Sequence, residues 1–379
     1  MPLLEVLPIP AGPAVVDIMP RLVDAMAGTA AAFLPVPADD PLETERLTAT
    51  LRPGLQIDSE VALVVATSGT TGVPKGAMLT AANVRASSTA ALDRLGGPGQ
   101  WLLALPAFHI AGLGVLFRSI VAETEPVVLD VTDGLSPDAF EKATARLDGG
   151  RKYTSLVPNQ LLKLLDSEPG RNALISYDAV LVGGAATPAH VVQRCAEVGV
   201  RLVRSYGMSE TCGGCVYDGK PLDGTLLRID DGRIVIGGPT VAKGYRGLTH
   251  EAFSEPGWFR TSDLGAVVDG TLVVHGRADG AITSGGLTVV PEVVASAIAA
   301  HPAVQDCVVV GRADERLGER VAAVVVVRDG LEITLDDVRA HVAAALGPFA
   351  APRELHVVAA LPMLASGKPD LAGIRKIVG

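Results

Sequence analysis

The sequence predicts an α/β protein with a large first part built on mostly parallel sheet, a β-layer after it, and a small α+β unit at the end. Three observations carry this. Between residues 60 and 204, short continuous runs of apolar and β-branched residues, as in strands buried on both faces, alternate with helical segments. From Gly219 onward the texture changes to short strands broken by glycines, as in an antiparallel layer. Beyond the turn-rich stretch Gly276-Arg-Ala-Asp-Gly280, helix and strand signals make a compact final unit. A chain of 379 residues allows two or three domains, and two are expected.

Residues 1–60 mix prolines, short amphipathic stretches and acidic residues, and carry no motif. The first clear element is Val61-Ala-Leu-Val-Val-Ala-Thr67, a buried strand entering a Gly/Thr-rich loop. A helix follows over Thr80 to Leu95, with Thr80 as N-cap and Gly96-Gly97-Pro98 as the stop. Trp101 to Phe108 repeats the buried-strand pattern. Helices are then expected near Pro137–Leu147 and Pro158–Leu165, and a strand at Ala179–Val182 ending in Gly183-Gly184. A helix near Pro188–Glu197 leads to a strand at Arg201–Arg204. The β-layer comprises Thr225–Ile229, Arg233–Ile236, Ala266–Val268 and Thr271–His275. The last unit holds helices at Pro291–Ala300 and Leu335–Leu346, and strands at Cys307–Val310 and Val321–Val327.

Composition excludes several classes of function. With 32 Lys and Arg against 42 Asp and Glu the net charge is −10, so nucleic acid and anionic membrane are poor partners. Mean hydropathy is +0.36, yet the apolar run Val321–Val327 falls far short of the roughly 20 residues a membrane span needs. The N-terminus carries Glu5 and several prolines and no basic segment, which argues against a signal peptide and for the cytoplasm. Cys212 and Cys215 form a C-x-x-C that suits a redox pair or half a zinc site. No second pair matches it, and its Gly-rich setting favours small residues beside a pocket.

The sharpest local signal is Thr67-Ser-Gly-Thr-Thr-Gly-Val-Pro-Lys-Gly76. Its hydroxyls, glycines and lysine can wrap an anion. The common NTPase loop needs Gly, four residues, then Gly-Lys-Ser/Thr; counted from Gly69, Pro74 stands where the second glycine belongs. That reading fails.

This string resembles the phosphate-loop signature of the acyl-adenylate-forming enzymes: acyl-CoA synthetases, luciferases and peptide-synthetase adenylation domains. Four further segments match in order. They are Ser205-Tyr-Gly-Met-Ser-Glu-Thr211, Trp258-Phe-Arg-Thr-Ser-Asp-Leu-Gly265, Gly276-Arg-Ala-Asp279 with Ile282-Thr-Ser-Gly-Gly286 and Pro291-Glu292, and Ser366-Gly-Lys-Pro369. Singly, each has an ordinary reading as core, turn or solvated residue; as an ordered set over residues 67 to 369 they do not.

The resemblance implies a two-step reaction. A carboxylate attacks the α-phosphate of ATP, pyrophosphate leaves, and an acyl-adenylate forms; two anions must be brought together, so positive charge and oriented donors are required. It assigns Ser68, Gly69, Thr70, Thr71, Gly72 and Lys75 to the outer phosphates. Ser209, in place of the usual threonine, would bond the α-phosphate, and Glu210 would hold Mg²⁺, a hard cation suited to oxygen ligands. Gly183, Gly184, Ala185, Ser205, Tyr206, Gly207 and Met208 would surround adenine, with Tyr206 stacked on it. Asp263 would accept from the ribose hydroxyls, with Arg277 nearby. Lys368 would bridge the substrate carboxylate and α-phosphate as a flexible point charge.

The resemblance also implies an adenylating domain over residues 1–278 and a mobile domain over 279–379 hinged at Asp279. Rotation there would replace Lys368 with the loop at Gly285 and Gly286, which borders a tunnel for the CoA thiol. Ile282-Thr-Ser-Gly-Gly286 is most similar to acyl-CoA synthetases, and no carrier domain follows, so CoA is the expected acceptor.

His109, Gly213 and Gly214 would line the acyl pocket, whose roomy wall suits an aromatic acid. Within the family the chain looks most like the o-succinylbenzoate–CoA ligases of menaquinone biosynthesis, actinobacterial type. Their aromatic diacid needs a second anion-binding group, for which Arg118, Lys220 and Ser155 are candidates. Only 66 residues precede Thr67, fewer than the family usually has, so part of the first subdomain is expected to be reduced. Another aryl- or acyl-CoA synthetase, a non-catalytic nucleotide-binding remnant, and a homodimeric assembly all stay open at this point.

Overall fold

The computed structural model describes residues 2–29, 31–67, 73–363 and 369–379. Two compact units emerge: residues 1–187, 193–228 and 235–261 in the first, and 188–192, 229–234 and 262–379 in the second.

The first unit holds two sheets. Residues 1–60, which carry no motif, supply the parallel strands Leu4–Ile9 and Ala32–Pro37 and the helices Met19–Ala27 and Pro41–Leu51. Strand Val61–Thr67 joins them in the order Leu4–Ile9, Ala32–Pro37, Val61–Thr67, Lys75–Thr80, with the last strand antiparallel. Lys75 and Gly76, read from sequence as the end of the loop, instead begin the strand Lys75–Thr80; Lys75 sits opposite Thr67. Gly76 is required there, because a Cβ would come 2.5 Å from Val64 Cγ1 and 2.8 Å from Leu51 Cδ2.

The second sheet carries the predicted parallel core. Strands Val127–Val128, Gln100–Leu103, Lys152–Leu156, Ala179–Val182 and Leu202–Met208 run parallel, and Gly213–Tyr217 and Lys220–Pro221 close one edge antiparallel. Two predicted strands change length. The strand expected from Trp101 to Phe108 stops at Leu103, as Pro106 cannot continue a ladder. The strand expected to end at Arg204 runs on to Met208. Aromatics are few, yet Trp101, Tyr153, Phe117, Phe140 and Tyr177 are the largest fully buried side chains. Trp101 and Tyr153 lie 5.0 Å apart between ring centroids, and Tyr153 Oη donates to the carbonyls of Leu95 and Gly97.

The strands of the predicted β-layer are consecutive: Leu226–Asp230, Arg233–Gly237, Trp258–Val268 and Thr271–Arg277. The last two pair antiparallel, with Asp263 opposite Arg277. In the second unit, strands Val304–Asp314 and Gly318–Val327 form a long antiparallel pair, and Ile282–Ser284 and Glu354–Val357 both pair with Gly318–Val327. Helices Pro291–Ala299 and Leu335–Leu346 pack Val294, Ile298, Val338 and Val342 against Val309, Val321 and Val325, an aliphatic core without aromatics. Among the described residues no helix is long and apolar enough to cross a membrane.

Helix Ala81–Leu95 forms as its sequence predicts. Thr80 Oγ1 accepts from Asn83 N at 3.1 Å, Asn83 Oδ1 accepts from Thr80 N at 2.8 Å, and Gly96 ends the helix at φ 98°. Asn83 Nδ2 also donates to the Pro239 and Val241 carbonyls. Thr80→Ala is expected to lower unfolding stability by about 1 kcal/mol, read as a shift of the urea midpoint with an unchanged slope.

Candidate active site

The densest set of candidate residues lies on one hairpin of the first unit. Strand Leu202–Met208 pairs with Gly213–Tyr217, placing Met208 opposite Gly213 and Gly207 opposite Gly214. The glycine run read as a pocket wall is thus the partner strand of the Ser205-Tyr-Gly-Met segment. Sterics explain both sets of glycines. A Cβ on Gly207 would come 2.0 Å from the Gly213 carbonyl oxygen, and one on Gly214 would come 2.0 Å from Ser205 Oγ. Gly183 joins them, because its Cβ would meet the Ser205 carbonyl at 2.9 Å. Gly184, at φ 81°, and Ala185 are exposed at the end of the neighbouring strand.

The hairpin turns through Ser209–Thr211, a single 3₁₀ turn closed by Cys212 in the left-handed region at φ 54°. Thr211 Oγ1 clamps it, accepting from Met208 N at 3.0 Å and donating to the Gly213 carbonyl at 2.8 Å. Ser209 and Glu210 are buried here, at 8% and 7% exposure. Ser209 Oγ donates to the Ala66 carbonyl at 3.4 Å, placing it at the end of the strand that leads to the phosphate-loop motif. Tyr245 Oη donates to Glu210 Oε1 at 2.6 Å, and Ala242 N donates to the Glu210 carbonyl oxygen. Lys75 Nζ lies 5.1 Å above the Tyr245 ring centroid and 3.0 Å from His250 Nε2. Sequence reasoning did not single out Tyr245 and His250. Neither stands in a matched motif, and only the tertiary fold brings them to Glu210 and Lys75. Ser68, Gly69, Thr70, Thr71, Gly72 and Lys368 lie outside the described residues.

Helix Ile110–Val121 runs from the Phe108-His109 segment into the interior. His109 is its N-cap residue; its exposed ring lies 4.2 Å from that of Phe108 between centroids. The Cβ direction of Gly213 points at Ile110 Cγ1, next in the chain to His109. Two turns further on, Arg118 is buried. Its Cζ sits 4.3 Å over the Trp101 ring, its Nη2 donates to Ser155 Oγ at 3.2 Å, and its buried Nε has no acceptor. Among the described residues no carboxylate pairs with it. Burial pulls its pKa down from the ordinary value, with Tyr217 and Cys212 opposing, yet a guanidinium stays charged. Lys220 lies exposed on the edge strand Lys220–Pro221, where its carbonyl accepts from Arg94. Of the three candidates for the second carboxylate, Arg118 and Ser155 are together and Lys220 is elsewhere.

The second unit holds the remaining predicted residues. Arg277 donates to both oxygens of Asp279, at 2.8 and 2.6 Å, and lies 3.6 Å from Asp263 Oδ1. The Asp279 hydrogen bond raises its pKa. The ribose and hinge candidates thus form one cluster around a single guanidinium. Gly285 and Gly286, at φ 61° and 81°, make the two-residue turn between Ile282–Ser284 and Leu287–Val289 that a tight hairpin requires. Gly285 N donates to the Leu317 carbonyl.

The chain belongs to the AMP-binding enzyme family, whose first domain matches residues 19–246 and whose C-terminal domain matches residues 293–368. Within that family it is 52% identical to a probable 2-succinylbenzoate–CoA ligase of Mycobacterium tuberculosis, over 99% of both chains. Its fold matches the o-succinylbenzoate CoA synthetase of Bacillus subtilis in complex with the acyl-adenylate intermediate, with TM-score 0.75 and 25% identity over 97% of this chain and 86% of that one. ATP-bound MatB from Rhodopseudomonas palustris, at TM-score 0.84 and 23% identity over 98% and 88%, shares the fold.

Cys212 and Cys215 are free and buried, burial pushes both thiols up to about 12, and among the described residues no cluster could hold a metal. A raised thiol pKa keeps both neutral at pH 8, so iodoacetamide is expected to leave them unmodified in the folded protein and to react after unfolding. Rapid alkylation of either in the native state would contradict this.

Proposed function

We propose that this protein is an ATP-dependent 2-succinylbenzoate–CoA ligase that works through an acyl-adenylate. The observation that carries the reading is the near-full-length identity to the mycobacterial ligase, and the geometry agrees with it at Arg118. A buried guanidinium that meets a hydroxyl and an indole face, and among the described residues no carboxylate, is costly unless an anion joins it. The benzoate carboxylate of 2-succinylbenzoate supplies that anion, while the succinyl carboxylate goes to the nucleotide.

In the first half-reaction, the succinyl carboxylate oxygen attacks the α-phosphorus, the bond to the bridging oxygen breaks, and pyrophosphate leaves. Lys75 balances charge at the outer phosphates, Ser209 donates to the α-phosphate, and Lys368 brings its ammonium to the two reacting anions. Tyr206 and the backbone at Gly183 and Gly184 take adenine, and Asp263 takes the ribose. In the second, the CoA thiolate attacks the acyl carbonyl, AMP leaves and the thioester remains. Residues 279–379 turn about Asp279 between the two, exchanging Lys368 for the loop at Gly285 and Gly286.

Glu210 fits Mg²⁺: it is a buried hard-oxygen group, and its neighbour Tyr245 is a neutral donor that does not cancel its charge. The absence of a three-ligand cluster among the described residues suits an ion shared between one carboxylate and the substrate phosphates. When bound, such an ion neutralises charge on phosphate oxygens.

ATP–pyrophosphate exchange tests the reading. It is expected with 2-succinylbenzoate and not with benzoate or a medium-chain fatty acid; exchange with the fatty acid alone would sink the substrate assignment. Arg118→Ala is expected to raise KM for 2-succinylbenzoate roughly 10- to 100-fold and to leave KM for ATP unchanged; an unchanged KM for the diacid removes Arg118 from its recognition. Lys368→Ala is expected to abolish exchange yet convert preformed acyl-adenylate and CoA to thioester. Equal loss of both steps in a folded variant would refute its separate role.

A further inference from the structure

Lys75 and His250 meet at a point that holds one N–H donor too many. His250 Nδ1 accepts the Ala252 backbone N–H at 3.1 Å, so that nitrogen is unprotonated and the neutral ring carries its proton on Nε2. Nε2 lies 3.0 Å from Lys75 Nζ. A lysine ammonium has three donors and no lone pair. Neither an Nε2–H nor an ammonium can accept from the other, and the Tyr245 ring face lies beneath Nζ.

Packing sets this arrangement. The Tyr245 ring is met edge-on by His250 at 5.3 Å and by Phe253 at 5.1 Å, while its hydroxyl is committed to Glu210. Lys75 and Tyr245 also line a cavity of about 300 Å³ together with Pro74 and Arg246. Two convergent donors with no mutual acceptor, beside open space and close to a carboxylate suited to a phosphate-bound cation, match the needs of an oxyanion with several acceptor oxygens.

We infer that His250 is a second ligand, with Lys75, of the terminal phosphoryl group of ATP, and therefore of the pyrophosphate that leaves. Its Nε2–H donates to a phosphoryl oxygen that also accepts from Lys75 Nζ. Tyr245 is the positioning residue that holds both this pair and Glu210 in place. The inference rests on the ligase reading above and adds a residue that lies outside every matched motif.

The test compares wild type with His250→Ala and His250→Gln, each with a thermal midpoint like the wild type. His250→Ala is expected to raise KM for ATP and for pyrophosphate roughly tenfold, the size of one charge-assisted hydrogen bond. His250→Gln, which keeps an N–H near the Nε2 position, is expected to recover most of that loss. Reaction of preformed acyl-adenylate with CoA should be unchanged in both, since that step contains no outer phosphate. Unchanged KM values, or equal damage to the thioester step, overturn the assignment. If wild-type protein shows no exchange with 2-succinylbenzoate, the substrate reading fails separately. Calorimetry then decides His250 alone: weaker ATP binding with unchanged AMP binding supports it, and equal loss for both nucleotides overturns it.

Discussion

Glu210 is a carboxylate with 7% of its surface exposed, at the tip of a hairpin whose two strands are built almost wholly of small residues near the turn. Desolvating a carboxylate costs several kcal/mol unless oriented donors replace the lost water. Much of the surrounding construction meets that cost. The Tyr245 hydroxyl supplies a short hydrogen bond to Oε1, and Ala242 N anchors the Glu210 backbone carbonyl. Gly207, Gly213 and Gly214 let the strands close tightly enough to hold the turn, and Thr211 locks its two ends. The same tyrosine then supports Lys75 on its face and His250 at its edge. One aromatic ring therefore links an anionic group and a cationic one.

Arg118 obeys the opposite-sign version of this constraint. Trp101 and Ser155 orient it without neutralising it, and Ser155 stands on a central strand whose own position is fixed by the sheet. Exposed pairs such as Lys243 with Asp58 and Glu60 contribute on the order of 0–1 kcal/mol in water. A buried guanidinium without a carboxylate has far more to gain from an incoming anion. On the proposed function, that gain is what lets a protein of net charge −10 take up a dianion.

The sequence made the chemistry-bearing segments and the alternation of strands and helices legible. Helix Ala81–Leu95 is the clearest example, because its cap and stop residues act locally. Strands Leu4–Ile9 and Ala32–Pro37 were illegible because each is short and proline-interrupted, and each is defined by pairing with the other. Lys75 and Gly76 read as loop because the strand character of Lys75–Thr80 comes from lying against Val61–Thr67. At the site, Ser209 and Glu210 were visible as a string, whereas Tyr245 and His250 lie 35 and 40 positions further along the chain and reach it only through the fold. Arg118 was one of three indistinguishable candidates until burial separated it from exposed Lys220.

The charged groups of the two units also differ in what already satisfies them. In the second unit, Arg277 has both oxygens of Asp279 and lies beside Asp263, so its pKa is raised and its charge is balanced in place. Such a guanidinium cannot at the same time neutralise a triphosphate without breaking the Asp279 contact. It acts as a clasp that ties the Gly276–Gly280 turn together beside Asp263. In the first unit, Lys75 and Arg118 have an aromatic face, a hydroxyl and an imidazole N–H as their neighbours, none of which carries negative charge. Arg277 has its counter-charge in place, whereas Lys75 and Arg118 face neutral groups, and on the proposed function their counter-charge is the substrate's own anions.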